Sequence, residues 1–440
     1  MFIKNGCKRA NLHCAKLVIE QIESKPNMLI TNIKGLVGLH PKDKLVLRGE
    51  EMNNLPVLEN AWLLIEDDFI KDFGTMNDIP SQISSLPTQI SAEGKFVFPS
   101  WCDSHTHIVF AASREEEFAM KIQGKTYEEI AAAGGGILNS ASKMQIATED
   151  QLYRSASIRL KQMILQGTGA VEIKSGYGLT VESEIKMLRV IKKLKANFPI
   201  PIKATFLAAH AFPSEYKNNQ QAYIDLIIKE MLPQIAAEKL ADYIDVFCEK
   251  GFFSVEQTDQ ILKAGAKYDL KPKIHANQLS ISGAVEIGIK NNAISVDHLE
   301  ETNEETVFAL KNSSTIATLL PSCSFYLGIP FADAKSLIAA NVAVALATDY
   351  NPGSTPSGNM NFVVSLGCIK LKMLPEQAIN SATLNGAAAM EISDTYGSIA
   401  NGKKANLFIT KPMPSIAYLP YSFGETQIET IILNGKIYNG

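Results

Sequence analysis

Several features that would place this 440-residue chain in other protein classes are missing from its sequence. No apolar run approaches the ~20 residues that a membrane-spanning helix needs. Lys and Arg number 42 against 46 Asp and Glu, so the basic excess of a nucleic-acid surface is absent. The six cysteines form no Cys-x-x-Cys pair, which favours reduced thiols over a disulfide framework. We therefore expect a cytoplasmic protein that binds neither membranes nor nucleic acid.

The N-terminal segment lacks the features of a secretory signal. His13, Lys16 and Glu20 interrupt the stretch that would have to be continuously apolar, and no cleavage site of small residues follows. We expect residues 1–27 to be an N-terminal extension ahead of a strand that begins at Met28.

The sequence does contain enough apolar residues for a large core, 46% against 20% charged residues. Short apolar segments broken by turn residues fill 28–94 and 394–440, and Asn434-Gly435 predicts a β-hairpin. Because both chain ends share this pattern around a central region, 95–393, we expect the ends to pair into one small β-sandwich module.

The central region alternates apolar runs of strand length with longer amphipathic stretches. Eight runs are predicted as strands: Phe96–Cys102, Gly169–Lys174, Ile202–Ala208, Tyr243–Cys248, Lys273–His275, Ala293–Val296, Thr315–Leu320 and Val342–Thr348. Eight strands that alternate with helices predict a (β/α)8 TIM-like barrel. The competing fold, a doubly wound sheet, usually has a Gly-rich turn after its first strand, and that turn is absent here.

Five of the seven histidines fall at or just after predicted strand ends. They are His105, His107, His210, His275 and His298. In such a barrel the carboxyl ends of the strands meet at one rim, where active sites are built. His105 and His107 stand two residues apart, so an extended segment would point both imidazoles to the same side. This clustering predicts a metal site.

Three imidazoles and one carboxylate make up the predicted ligand set: His105, His107, His275 and Asp349. Asp349 ends the eighth predicted strand. The set suits one Zn²⁺ or Fe²⁺ ion with room for a water. His298 is either a further ligand or a general acid/base beside the ion, and we favour the second role.

Two other carboxylates near strand ends have candidate roles. Asp103 lies two residues before His105 and is the expected hydrogen-bond partner of a ligating imidazole. Glu249 follows the fourth strand and would bridge a second metal, orient neighbouring groups or form an ion pair at the rim.

The order of these residues resembles that of the metal-dependent amidohydrolase superfamily, with His-x-His after strand 1, His after strands 5 and 6, and Asp after strand 8. Other blocks are similar to one branch of it: Ser113-Arg-Glu-Glu-Glu-Phe118, Gly134-Gly-Gly-Ile137, Lys174-Ser-Gly-Tyr-Gly178 and Ala347-Thr-Asp-Tyr-Asn-Pro-Gly353. The resemblance runs from Met28 to the C-terminus. It implies a homodimer that hydrolyses 4-imidazolone-5-propanoate to N-formimidoyl-L-glutamate in histidine degradation.

The resemblance also implies which side chains contact the substrate: Arg114, Tyr177, His210, Asn351 and Gly353. A planar guanidinium binds a carboxylate through two parallel hydrogen bonds, which suits Arg114 to the propanoate. The amides that follow Asn351 can face a bound carboxylate or carbonyl oxygen. The alternatives are an exposed arginine in a charged run for Arg114 and a packing role for Tyr177.

The sequence departs from the family pattern at two positions. Ser354 stands where threonine is usual and keeps the hydroxyl. Gln278 stands where many members carry an acid, and glutamine cannot transfer protons in that way. We expect Gln278 to hold the substrate ring during catalysis, while Asp349 and His298 carry the acid–base work.

Alternative functions are a deaminase or another cyclic-amide hydrolase of the same superfamily, and, least expected, a barrel that serves as a non-catalytic scaffold. The turn Gly134–Gly136 is predicted to be a mobile lid, an anion cradle or a plain connector.

Overall fold

Two eight-stranded sheets organise the computed structural model, which describes residues 28–84, 86, 88–125, 129 and 135–440. The predicted extension 1–27 and Gly134 lie outside the described residues. In chain order the strands are β1 (Met28–Val37), β2 (Val57–Glu66), β3 (Phe69–Thr75), β4 (Thr88–Ser91), β5 (Phe96–Pro99), β6 (Trp101–Asp103), β7 (Thr168–Lys174), β8 (Ile202–Ala209), β9 (Tyr243–Cys248), β10 (Lys271–Ala276), β11 (Ser295–His298), β12 (Ile316–Leu319), β13 (Val344–Leu346), β14 (Leu407–Thr410), β15 (Ile428–Leu433) and β16 (Lys436–Ile437).

Helices follow most of the barrel strands. The α-helices of the described residues are Glu115–Ile122, Ile137–Ile146, Glu149–Leu165, Val181–Asn197, Gln220–Leu226, Leu232–Glu238, Val255–Ala266, Ala284–Lys290, Glu304–Lys311, Pro321–Leu327, Ala334–Ala339, Met360–Ile369, Pro375–Ala382, Leu384–Ala389 and Tyr418–Tyr421. Short 3₁₀ segments occur at Gly49–Asn53, Met76–Asp78 and Ser214–Tyr216, and a π segment at Ile227–Met231. Among these described helices, none is long and apolar enough to cross a membrane.

Strands β6 to β13 form a parallel barrel in sequence order, which confirms the predicted (β/α)8 fold. The first and last strands are joined just beyond their ends: the amide of His107 donates to the carbonyl oxygen of Tyr350 at 2.8 Å, and the amide of Asp349 donates to that of His105 at 3.0 Å. These bonds lie among the predicted metal ligands, so the interaction that closes the barrel also assembles the rim.

The barrel strands are buried along their whole length where helices cover them, as in β7 and β9. This explains why they read as continuous apolar runs rather than alternating patterns. The helix Glu149–Leu165 shows how local sequence starts a covering element. Thr148 Oγ1 accepts from the Gln151 amide at 3.2 Å, and Gln151 Oε1 accepts from the Thr148 amide at 2.9 Å, a reciprocal cap.

The second sheet joins the two ends of the described chain, in the order β16-β15-β14-β5-β1-β2-β3, with β4 beside β1. Strand β14 lies antiparallel to β5, where the rings of Phe98 and Phe408 stack at 5.2 Å. The predicted hairpin between β15 and β16 is confirmed. Gly435 has φ +70° at its tip, and a Cβ there would lie 2.2 Å from the carbonyl oxygen of Asp67.

The predicted first barrel strand, Phe96–Cys102, is wrong in one respect because it consists of two strands in different sheets. The chain changes partner at one peptide: the Ser100 amide donates to the carbonyl of Asn406 in the end sheet, and the next amide, of Trp101, donates to that of Gly167 beside the barrel. The domain limits 28–94 with 394–440 and 95–393 stay a prediction.

Candidate metal centre and active site

Three buried imidazoles converge at the carboxyl ends of the barrel strands: His105, His107 and His275. Their possible ligand atoms all lie within 4.8 Å of one another. Nε2 of His105 and Nε2 of His107 are 3.3 Å apart, and each lies 3.6 Å from Oδ1 of Asp349. Two ligands of a tetrahedral zinc ion, each about 2.0–2.1 Å from it, are about 3.3 Å apart. The donor types and their spacing therefore fit one divalent ion.

Two of these imidazoles are backed by carboxylates. Nδ1 of His105 lies 2.6 Å from Oδ2 of Asp297, and Nδ1 of His275 lies 3.0 Å from Oδ2 of Asp245. The first contact is a hydrogen bond, whereas the second is close but not aligned as one. Such partners orient a ring and leave its opposite nitrogen for a metal.

The expectation that Asp103 holds a ligating imidazole is wrong. Its carboxylate accepts from the amide and the hydroxyl of Thr348, at 3.0 and 2.7 Å. Burial raises the pKa of Asp103 to about 7, against the opposing effect of these hydrogen bonds. Asp103 therefore links the end of the first barrel strand to the residue before Asp349.

A buried lysine lies beside both backing carboxylates. Nζ of Lys174 is 2.8 Å from Oδ2 of Asp245 and 3.5 Å from Oδ2 of Asp297. It is also 2.7 Å from Oε1 of Glu172. All four side chains are fully buried. Burial by itself lowers the pKa of Lys174, but the attraction of the carboxylates outweighs it and holds the pKa above its usual range.

Sequence reasoning missed Lys174, Asp245 and Asp297. The signal available was a charged residue inside an otherwise apolar strand, as in Glu172-Ile-Lys174. Lys, Asp and Glu are almost never fully buried unless they are paired. Charges in such strands therefore indicate an internal ionic network.

His298 ends β11 with φ +90°, a backbone conformation that non-glycine residues rarely adopt. Its Nδ1 lies 3.4 Å from Oε1 of Glu300, which also accepts from the Ser324 hydroxyl at 3.1 Å. Burial lowers the pKa of His298, but the neighbouring carboxylate of Glu300 more than offsets this, and the pKa is raised. His298 is not one of the three converging imidazoles. This placement favours the acid/base role over that of a ligand.

A cavity of about 380 Å³ opens over the imidazoles. All seven residues expected to contact substrate line it: Arg114, Tyr177, His210, Gln278, Asn351, Gly353 and Ser354. His107, His275, His298 and Asp349 line it as well, and Phe247 and Phe252 contribute apolar surface. A larger groove of about 860 Å³ lies along the end sheet near Lys34 and Pro414, and none of the barrel histidines lines it.

Arg114 lines this cavity and forms a salt bridge with Glu117. Its Nε and Nη2 donate to the two carboxylate oxygens of Glu117 at 2.9 and 2.5 Å. Glu117 also accepts from the amide of Gly136 at 3.1 Å, which ties the described end of the glycine turn to this pair. A Cβ at Gly353 would lie 2.2 Å from Nη1 of Arg114, so a larger residue there would require the guanidinium to move from its present position.

Lys121 lines the same cavity and was also missed by sequence reasoning. Its Nζ lies 5.8 Å from the ring centre of Tyr326. Burial, and next the charge of Arg114, lower the pKa of Lys121. The charge of Glu117 acts in the opposite direction, and Lys121 is therefore a second basic side chain of the cavity beside Arg114.

The turn after Asp349 is organised by Asn351. Its Oδ1 accepts from the amides of Gly353 and Ser354, both at 2.8 Å, and its Nδ2 donates to the Ser354 hydroxyl at 2.7 Å. The expectation that the amides after Asn351 face the substrate is therefore wrong for these two. The Ser354 hydroxyl in turn lies 3.3 Å from Oδ2 of Asp349.

His210 and Tyr177 form one wall of the cavity with His107. The His210 ring stacks on His107 at 5.4 Å, and its Nδ1 lies 3.1 Å from the carbonyl oxygen of Gly176. Burial lowers the pKa of His210 to about 3, so the ring is neutral and Nε2 can accept a hydrogen bond. Burial raises the pKa of Tyr177, so its hydroxyl stays protonated.

Glu249 accepts hydrogen bonds from backbone amides at the rim of the barrel. Its Oε1 accepts from the amide of Lys250 at 2.8 Å, and its Oε2 accepts from the amides of Leu279 and Ser280 at 3.0 and 3.3 Å. These bonds orient the segment after Gln278, so of the roles expected for Glu249 the structure favours the orienting one. They also occupy the oxygens that a ligand bridging two metals would use.

The fold and the site together define a metal-dependent hydrolase built on a parallel barrel. A family model described as the amidohydrolase family matches residues 96–438. The chain is 55% identical to an imidazolonepropionase of Christiangramia forsetii over 93% of this chain and 99% of that protein. It is 43% identical to an imidazolonepropionase of Clostridium tetani over 88% and 93% of the two chains. The chain belongs to the amidohydrolase family and, within it, to the imidazolonepropionases.

Solved structures share the fold at much lower identity. An adenosine deaminase from Xanthomonas campestris with bound zinc has a TM-score of 0.66 and 15% identity, covering 94% of this chain and 92% of that one. The guanine deaminase of E. coli has a TM-score of 0.70 and 14% identity, covering 94% and 99%. Family membership and the donor set agree on a divalent metal ion.

Proposed function

We propose that this protein hydrolyses 4-imidazolone-5-propanoate to N-formimidoyl-L-glutamate. One observation carries the proposal: a chain 55% identical to a named imidazolonepropionase places basic side chains in a cavity that is lined by two of the three converging imidazoles. A small, planar ring with an anionic tail fits such a cavity. We further propose that the enzyme is a homodimer and works in the cytoplasm.

One zinc or iron ion is proposed at His105, His107, His275 and Asp349, where the donor spacing supports it. A divalent ion there supplies Lewis acidity: it lowers the pKa of a water and polarises a carbonyl oxygen. The carboxylates behind His105 and His275 keep both Nε2 atoms directed to the ion.

Proton transfer is assigned to Asp349 and His298, because the amide of Gln278 can neither accept nor donate a proton as an acid or a base does. Asp349 removes a proton from the water that attacks the ring carbonyl carbon. His298, backed by Glu300, donates a hydrogen bond to the oxyanion that develops. The ring C–N bond then breaks, and the leaving nitrogen takes the proton from Asp349 or His298.

The remaining cavity residues are assigned to holding the substrate. Arg114 and Lys121 attract the propanoate carboxylate. His210 Nε2 and the Tyr177 hydroxyl offer an acceptor and a donor for the ring. Gln278 holds the ring without exchanging protons. Asn351, Gly353 and Ser354 shape the turn beside Asp349.

A turnover assay tests the function. Purified protein of known metal content should abolish the ring absorbance of 4-imidazolone-5-propanoate and form N-formimidoyl-L-glutamate, and His275→Ala should not. His13→Ala, in the N-terminal segment that precedes residue 28 in the sequence, serves as the histidine control. Turnover of a purine or pyrimidine with ammonia release, and none of the imidazolone, would favour the deaminase alternative instead.

A further inference from the structure

A second group of metal-binding side chains lies beside the proposed catalytic ligands: His298, Glu300 and Cys323. Their donor atoms lie within 4.8 Å of one another, and the three residues are 2%, 6% and 0% exposed. His298 and Glu300 belong to the end of β11, and Cys323 belongs to the helix Pro321–Leu327 that follows β12. The set of imidazole, carboxylate and thiolate is one that zinc prefers.

One oxygen of this group lacks a hydrogen-bond partner. Oε1 of Glu300 accepts from the Ser324 hydroxyl at 3.1 Å, whereas Oε2 has no donor among the described residues although it is buried. Buried carboxylate oxygens are normally hydrogen-bonded, so an unpartnered one calls for an explanation. Oε2 lies 3.4 Å from Nδ1 of His298. That separation is close to the roughly 3.3 Å between two ligands of one tetrahedral zinc ion.

Access and charge also suit a cation. His298 and Gln278 line the substrate cavity, and Nε2 of Gln278 lies 3.5 Å from the sulfur of Cys323, so the thiol lies directly behind a cavity residue. The carboxylate of Glu300 and a thiolate at Cys323 would together balance a divalent charge, with the thiol proton released to solvent. The proposed catalytic ligands include no sulfur.

We propose that His298, Glu300 and Cys323 bind a second, thiophilic divalent cation such as Zn²⁺ or Cd²⁺, and that this ion inhibits the enzyme. Binding at Nδ1 of His298 removes the Glu300 contact that supports its acid/base role. The existence of the site is independent of the proposed function, whereas the inhibition rests on it.

Cadmium titration of the metal-loaded enzyme tests the site, because a cadmium–thiolate bond absorbs in the ultraviolet and cadmium in the sulfur-free catalytic set does not. The experiment uses full-length protein with Cys7→Ser and Cys14→Ser, so that the N-terminal thiols do not contribute. The parent should bind one further equivalent of Cd²⁺ with that absorption and lose turnover reversibly. Cys323→Ser should lose the absorption and, measured against its own cadmium-free turnover, require at least ten times more Cd²⁺ for inhibition. Cys368→Ser, a half-buried thiol elsewhere, should behave as the parent.

The site would be overturned if the absorption persisted in Cys323→Ser. It would also be overturned if the parent took up no more Cd²⁺ than this variant. If Cys323→Ser does not fold, X-ray absorption of cadmium in the parent decides: one sulfur with nitrogen and oxygen ligands is expected, and a shell without sulfur rejects the site. A parent that shows the absorption but never turns over imidazolone propanoate would leave the site standing and reject the proposed function.

Discussion

At the scale of single residues, the roles of three histidines follow from what the Nδ1 atom of each ring contacts. Nδ1 of His105 faces the carboxylate of Asp297, which directs Nε2 to the metal position. Nδ1 of His210 faces a backbone carbonyl, which leaves Nε2 as a neutral acceptor. Nδ1 of His298 faces Glu300, which supports a proton on the ring. Three chemically identical side chains are thereby differentiated by their neighbours, which are 192, 34 and 2 residues away in the sequence.

His298→Ala should separate catalysis from metal binding. Because His298 lies outside the converging imidazoles, the variant should keep its metal content, while kcat falls by about 10²–10⁴ through loss of acid–base assistance. Metal analysis and steady-state kinetics on the same sample measure both. A variant with near-normal kcat would contradict the role of His298, and one that loses its metal would make it a ligand.

Lys121→Met should weaken substrate binding more than turnover. Arg114 already pairs with Glu117, whereas Lys121 lines the cavity with its Nζ near the ring of Tyr326. A charge-assisted hydrogen bond contributes about 1.5–3 kcal/mol, less at a half-exposed site, so KM should rise about 5- to 10-fold with kcat nearly unchanged. Lys121→Arg should restore KM. An unchanged KM in Lys121→Met would show that the propanoate does not reach Lys121.

At the scale of elements, the inner faces of β7, β9, β10 and β11 carry a layer of charges beneath the metal position. Lys174 lies between Asp245 and Asp297, so one ammonium group links the partners of two proposed ligands. The energetics of such a buried network depend on its completeness, because a single unpaired charge in the interior is far more costly than the intact group.

Lys174→Met should therefore destabilise the barrel and weaken the metal site. Removing one partner of a buried ionic network costs about 3–5 kcal/mol, and disturbing the groups behind metal ligands lowers metal affinity about 10–100-fold. Urea unfolding and competition with a chelator measure the two effects. Lys290→Met, on the protein surface with a side chain 65% exposed, is the matched control and should change neither. Unaltered metal affinity in Lys174→Met would show that the two carboxylates hold their imidazoles without the lysine.

The elements also show what sequence alone can predict. Seven of the eight predicted barrel strands coincide with β7 to β13 to within a few residues, because apolar runs and helical periodicity are local signals. The first predicted strand fails because its two halves bond to different sheets, and their backbone partners near the break, Asn406 and Gly167, lie far along the chain. The expectation that Asp103 supports a ligating imidazole fails for the same reason, because Asp297 is the carboxylate that contacts His105. Asp297 and His105 are 192 residues apart, and only the folded barrel brings them together.

At the scale of the whole molecule, barrel closure and the metal site depend on the same segments. The amides of His107 and Asp349 join the first and last strands of the barrel just where both residues offer ligand atoms to the proposed ion. A ligand that bridges the two ends of a barrel favours the closed state, because it binds the folded form and not the unfolded chain.

Removal of the metal should therefore lower the thermal stability of the whole protein. A ligand that binds only the folded form adds about 4 kcal/mol when its free concentration is 1,000 times its Kd. Calorimetry of chelated and reloaded protein should show a lower Tm without metal and recovery on reloading. In Asp349→Asn the Tm should respond weakly to metal, since the carboxylate that joins the end of β13 to the site is gone. Asp150→Asn, a carboxylate 70% exposed on a covering helix, should respond like the parent. A parent whose Tm is unchanged by chelation would indicate that the barrel closes without help from the ion, and that the ion acts in catalysis alone.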